Sequence, residues 1–249
     1  MICNSCTSSN QNRMRAVTVF LLLIFVVGCG DRSYELAYVS DRDKVLDIFI
    51  TNSENAGLQN LTNSDVTEYN LTWSSDGNEI YYTNYDKDTR SIKKVNVISK
   101  AISTVMSDST ILSVSDVSDD HRKLIISTSE HHPKGELYIY DIKTGAKTRL
   151  TTNEFYEAGA KYSPDERHIV ASIQTKASDS VNHSGIAEIF IIDVSNLRTV
   201  QITDLKKFSA LPDYAPNGKT IAFHKCDEGI CDVHTVKEDG SALKNLTNG

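Results

Sequence analysis

One phrase recurs along this chain: a tight turn, an alternating apolar strand, a loop, a second strand and a closing Leu-Thr. The turns are SSDG at 74–77, SDDH at 118–121, SPDE at 163–166 and APNG at 215–218. The strands behind them are IYYT at 80–83, LIIS at 124–127, IVAS at 169–172 and IAFH at 221–224. Second strands include LYIYD at 137–141 and EIFIID at 188–193, and units close on LTTN at 150–153, ITD at 202–204 and LTN at 246–248. Successive turns stand roughly 45 to 50 residues apart, the span of a four-stranded propeller blade. Proline presets φ at the second turn position, Asp or Asn bonds its own backbone, and Gly accepts positive φ. A period-2 strand buries one face on its neighbour, and no blade can bury both faces alone. The units must therefore stack around an axis. The expected fold is all-β, a propeller of about five four-stranded blades.

Bulk numbers agree with a packed domain. The 249 residues are 39% apolar and 24% charged with four prolines, which argues against disorder. The balance is acidic, with 26 basic and 33 acidic residues. Arg13 and Arg15 account for the only charges before Cys29, so removing that segment leaves 24 against 33, a net of −9. Nothing in that balance suits a phosphate backbone, and nucleic acid is excluded as a partner.

The first residues read as an address. Arg13 and Arg15 precede AVTVFLLLIFVV at 16–27, an uncharged apolar run too short to span a bilayer. It stops at Gly28-Cys29, and VVGC at 26–29 resembles the lipobox of bacterial lipoprotein signal peptides, with Val26 in place of the usual Leu. That resemblance implies that Cys29 becomes the acylated first residue, held by several chains where one would bind only marginally. Gly30, not Asp, follows the cysteine, which by the same resemblance favours the periplasmic side of the outer membrane over the inner. Cys3 and Cys6 lie upstream and would be discarded with the leader. Cys226 and Cys231 then remain, an even pair in an oxidising compartment, expected to form a disulfide across a hairpin.

The repeat phrase resembles the TolB-like β-propeller repeats, a WD-repeat-like family of bacterial envelope proteins. Its pattern runs SPDG, a strand like IAF, a loop like SDRDG, a strand like DIYVMD, then Leu-Thr. VSDRDKVLDIFI at 39–50 matches the loop and second strand, with Lys44 replacing Gly. The resemblance covers nearly the whole chain after the leader. SIKKVNV at 91–97 departs from it, losing the aromatic and gaining two lysines. The expected organisation is a leader at 1–28, a lipidated tether at 29–33 and a propeller at 34–249. The propeller divides into units at 34–65, 66–110, 111–154, 155–206 and 207–249. The first unit begins at LAYVS and lacks the inner strand and its turn. In the family a strand after the last Leu-Thr usually supplies it. The expectation here is an incomplete ring, open or truncated, with an edge at 36–40 that invites strand addition or oligomer formation.

Chemistry-bearing patterns are few. No G-x-S-x-G, H-E-x-x-H, P-loop or G-x-G-x-x-G occurs. Asp41 with Asp43, and Asp86 with Asp88, do not continue as a D-x-D-x-D-G calcium loop, and a solvated loop role is expected. His131 and His132 form the one histidine pair to weigh for a metal, because oligogalacturonate lyases use a related propeller with histidine-held manganese. Adjacent strand residues point to opposite faces, so only a bent loop would let both grip one ion. His224, Cys226, Cys231 and His234 have zinc-like composition. On a hairpin with Cys226 opposite Cys231, however, His224 shares the cysteine face and His234 does not, a poor tetrahedron. No catalytic residue, resident metal or cofactor is expected.

Two functions remain open. One is a noncatalytic envelope lipoprotein, membrane-held by its lipid, whose propeller is an interaction platform for an envelope protein. The other is a carbohydrate-active enzyme, oligogalacturonate-lyase-like, or a glycan-binding propeller.

Overall fold

The Ser-x-Asp turns reverse the chain as their residue types require. In the computed structural model, the amides of Gly77, His121, Glu166 and Gly218 donate to the carbonyls of Ser74, Ser118, Ser163 and Ala215 at 2.8–2.9 Å. Each of these donors has positive φ, at 68°, 57°, 55° and 65°. Ser74, Ser118 and Ser163 donate their hydroxyls to Asp76, Asp120 and Asp165 two residues on, at 2.7–2.8 Å. The structure describes residues 36–42, 45–52, 57–86, 89–176, 185–227 and 229–247. The leader, Cys29, Asp43 and Asp88 lie outside them.

Nineteen strands and no helix occur among the described residues, and they form five blades. Blade 1 has three strands, β1 (Leu36–Ser40), β2 (Asp47–Thr51) and β3 (Gln59–Asn60). Blade 2 holds β4 (Thr67–Trp73), β5 (Glu79–Asp86), β6 (Thr89–Asn96) and β7 (Ile102–Ser107). Blade 3 holds β8 (Ile111–Val117), β9 (Lys123–Thr128), β10 (Glu136–Asp141) and β11 (Lys147–Arg149). Blade 4 holds β12 (Glu157–Tyr162), β13 (His168–Lys176), β14 (Ile186–Asp193) and β15 (Thr199–Gln201). Blade 5 holds β16 (Phe208–Tyr214), β17 (Thr220–Asp227), β18 (Ile230–Lys237) and β19 (Lys244–Asn245). Strands within a blade pair antiparallel in chain order. Blades 4 and 5 also touch at one parallel pair, Ala187 with Phe208. No described strand pairs with the inner edge of β1, and none of blade 5 pairs with blade 1. Among the described residues the propeller is open and its first blade holds three strands, consistent with the open or truncated ring that the sequence implies.

The core is a series of seams between blades. Ile48, Ile50 and Leu61 of blade 1 meet Ile80, Tyr82 and Val95 of blade 2. Tyr81 and Ile92 then meet Leu124, Ile126 and Tyr138 of blade 3. Ile125 and Leu137 meet Ile169, Ala171 and Ile192 of blade 4. Val170, Ile189 and Ile191 meet Ile221, Phe223 and Val236 of blade 5. Alternate residues of one strand thus serve opposite seams, which is why the strand sequences are apolar throughout.

The closing Leu-Thr has a physical role. The hydroxyls of Thr62, Thr151, Thr203 and Thr247 accept the amides of Ile48, Leu137, Ile189 and Val233 at 2.9–3.1 Å. Three donate in turn to the acid immediately before that amide: Thr62 to Asp47 at 3.1 Å, Thr203 to Glu188 at 2.6 Å and Thr247 to Asp232 at 2.7 Å. Thr151 instead reaches Glu157 of the next blade at 2.5 Å. One side chain so ties a blade's outer strand to its third. Blade 2 lacks this lock, having Ser91 opposite Ser107. Its paired lysines alternate to opposite faces, since β6 keeps its register against β5 and the extra residue of the bulge, Val105, lies on β7; Lys94 reaches Glu79 at 2.8 Å.

Candidate functional site

Every inner strand is kinked by a bulge, at 69–72 in β4, 158–161 in β12 and 210–213 in β16, and twice in β8. Asn70, Gly159 and Leu211 absorb the extra residue with φ of 53°, 59° and 51°. Such bulges re-aim the side chains that follow. The next-to-last residues of the four inner strands, Thr72, Asp116, Lys161 and Asp213, are brought together by this device. Lys161 Nζ lies 2.8 Å from Thr72 Oγ1, two blades away, and 3.2 Å from Asp116 Oδ1. Thr72 Oγ1 donates to Asp116 Oδ1 at 3.0 Å, and the Tyr162 amide donates to Asp116 Oδ2 at 2.9 Å. Contacts spanning blades 2, 3 and 4 place this cluster on the propeller axis.

Beside it opens a cleft of about 240 Å³ at the end of the ring that carries the Ser-x-Asp turns, lined by Trp73, Tyr162, Tyr214, Asp116, Glu166 and Asp213, among others. Asp119 rims it, donating its amide to Glu166 at 2.5 Å. Four carboxylates therefore line the cleft, and the one lysine beside it, Lys161, is committed to Asp116 and Thr72. Asp213 is open to solvent yet walled by protein. Lost solvation raises its carboxyl above 3.8, Lys161 opposes the rise and Asp116 adds to it. The arrangement suits a cationic or hydrogen-bond-donating group against aromatic walls.

The residues singled out from sequence fall elsewhere. Cys226 and Cys231 are joined, S–S 1.96 Å, across the β17–β18 hairpin. His224 lies opposite Val233 on the cysteine face, and His234 lies opposite Phe223, buried at the seam with blade 4. His131 and His132 sit on the β9–β10 loop. His131 Nδ1 is 2.6 Å from the Tyr138 hydroxyl, and His132 Nδ1 accepts the Lys134 amide at 3.3 Å. Among the described residues no three His, Cys, Asp or Glu side chains converge to hold a metal ion.

Sequence reading missed the axial four. Their signal is positional: each stands two residues before the first letter of a Ser-x-Asp-type turn. Stacking the repeats on those turns picks them out, although their types, Thr, Asp, Lys and Asp, share nothing.

Kinked inner strands, seams between blades and an axial cleft define a β-propeller. The chain belongs to the TolB β-propeller family: residues 33–249 match the TolB beta propeller domain. Among solved structures it is similar to TolB from Acinetobacter baumannii, at 19% identity and TM-score 0.74, over 88% of this chain and 54% of that one. A putative TolB from Agrobacterium tumefaciens matches at 18% identity and TM-score 0.66, over 85% of this chain and 79% of that one. An oligogalacturonate lyase in complex with manganese matches at 14% identity and TM-score 0.57, over 85% of this chain and 61% of that one. At these identities the likeness is one of fold, and this chain spans about half the length of the A. baumannii protein.

Proposed function

We propose that this chain is a noncatalytic lipoprotein of the bacterial cell envelope whose propeller is a protein-interaction platform. In this reading Cys29 carries the lipid, residues 30–33 are a tether, and the propeller faces the periplasm from the outer membrane. The axial cleft is the contact surface. The observation that supports it most is the charge of that cleft, where Asp116, Asp119, Glu166 and Asp213 outnumber Lys161 beside three aromatic rings. Lysine and arginine side chains of a partner satisfy such a surface, by charge and by stacking. The unpaired edge of β1 is a second contact, open to strand addition or to another copy.

Photocrosslinking in intact envelopes tests the cleft. A crosslinker at the exposed rim residue Ser75 is expected to capture a defined protein, and one at Leu243 on blade 5 is not. Adding Asp213→Lys to the Ser75 protein should abolish the capture. Equal products from both positions, or capture indifferent to Asp213→Lys, would remove the axial site from the proposal. For the anchor, Cys29→Ala is expected to move the protein from the membrane to the soluble fraction, and unchanged partitioning would overturn the lipidation.

A further inference from the structure

A second cleft, of about 340 Å³, opens between blades 2 and 3 at the opposite end of the ring, at the start of β6 and the loop following β9. It is lined by Arg90, Leu112, Glu130, His131, His132 and Pro133, with Ser129. Unlike the axial cleft, it presents a guanidinium. The Arg90 guanidinium stacks 4.4 Å over the Tyr85 ring and donates one N–H to the Ile111 carbonyl at 3.0 Å. Among the described residues it has no carboxylate partner. Glu130, the acid in the cleft, is bound to Lys147 at 2.8 Å, and Lys147 also holds Asp108 at 3.2 Å. The guanidinium is thus held in place with donors to spare, in a protein whose acids outnumber its bases.

The histidines are oriented too. The Tyr138 hydroxyl that meets His131 Nδ1 also reaches buried Glu136 at 3.3 Å, and Arg149 clamps Glu136 at 2.5 Å. With the Tyr138 proton given to Glu136, His131 Nδ1–H donates to Tyr138, and the neutral ring turns Nε2 to the cleft as an acceptor. In His132 the Nδ1 accepts the Lys134 amide, so its neutral ring carries the proton on Nε2 and donates there. The Arg90 guanidinium opposes a cation and, beside the His132 Nε2–H, favours an oxyanion whose oxygens match the arginine fork.

We propose that this cleft binds an anionic oxygen group, a carboxylate or a phosphate, on a small ligand. Arg90 supplies the fork, His132 Nε2–H donates to the anionic oxygen, His131 Nε2 accepts from a neighbouring ligand hydroxyl, and Leu112 with Pro133 pack the ligand's body. The site is independent of the envelope reading above and involves none of the axial residues.

Calorimetric titration of the full chain with D-glucuronate, D-glucose and inorganic phosphate tests it. One or both anions are expected to bind at least about tenfold more tightly than glucose. Glucuronate alone points to a carboxylated sugar, and phosphate alone to a phosphorylated ligand. Arg90→Gln should weaken the anion by about tenfold or more while leaving the axial crosslink from Ser75 intact. If Arg90→Gln does not fold, His132→Gln on the exposed loop should still weaken binding by about threefold or more. Anion binding no tighter than glucose, binding unchanged in the variants, or binding lost on adding a divalent-metal chelator would each overturn the proposal.

Discussion

Leu197 and Gly145 occupy the same place in consecutive blades, the fourth residue after the aspartate that ends the third strand. Their amides donate to the carbonyls of Asp193 and Asp141 at the same 2.8 Å, and both have positive φ, 60° and 73°. An L side chain there costs about 1–2 kcal/mol, against a glycine's entropy loss of about 0.5–1 kcal/mol. Leu197 returns little in packing, because it is exposed. Leu197→Gly is therefore expected to raise unfolding stability by about 0.5–1 kcal/mol, read from the denaturant midpoint. A lower midpoint would mean that the leucine makes a contact worth more than its strain. Gly159 is different: a Cβ there would meet the Leu211 backbone at 3.0 Å, so φ and neighbour both demand glycine. The residue scale was legible wherever one turn dictated the residue, as at Gly77 and Gly218. At His121 and Glu166 the turn was legible through its Ser-x-Asp letters although the last residue type opposes it, and at Leu197 it was not legible, because no such phrase marks it.

Between elements, the seam of blades 3 and 4 holds a buried carboxyl with a consequence for pH. Glu157 opens β12 and accepts from Thr151, Asn153 and the Leu137 amide. Burial nevertheless pushes its carboxyl from 4.5 up to about 7, the three donors restrain it, and Glu136 adds to the rise. The folded chain then binds a proton that the unfolded chain releases above 4.5, so stability falls as pH climbs from about 4.5 to 7 and levels off above. The loss is at most about 3 kcal/mol. Burial raises Glu68 at the seam of blades 1 and 2 in the same direction. Urea unfolding from pH 4.5 to 8 is expected to show this slope, reduced in Glu157→Gln; an identical slope in the variant would clear Glu157 of it. Elements themselves were readable from period-2 runs, and the opposition of His224 and Val233 followed from counting back from a hairpin. Lys161 meeting Thr72 was not readable, because 89 residues and two blades separate them and only the inner-strand bulges aim them at one point.

At the scale of the molecule, β1 is paired along one edge among the described residues, by β2 alone. Its partner β2 satisfies alternate backbone groups only, through the register from Leu36 with Thr51 to Ser40 with Asp47. In a monomer, the β1 amides that point away from β2 are expected to exchange with solvent faster than any inner-blade strand, measured by hydrogen exchange. Binding of a strand-forming partner or a second copy should protect them. Full protection in a proven monomer would show that the chain covers its own edge. At the other end of the row the Cys226–Cys231 bond lies on the hairpin of blade 5, on the face turned away from blade 4. Sulfur in that position keeps a record of origin. A chain that folded in an oxidising compartment carries the bond, and one retained among reductants carries two thiols. The fifth blade is thus a travel stamp: alkylating and weighing the protein tells which side of the membrane it matured on, without reference to where it is later found.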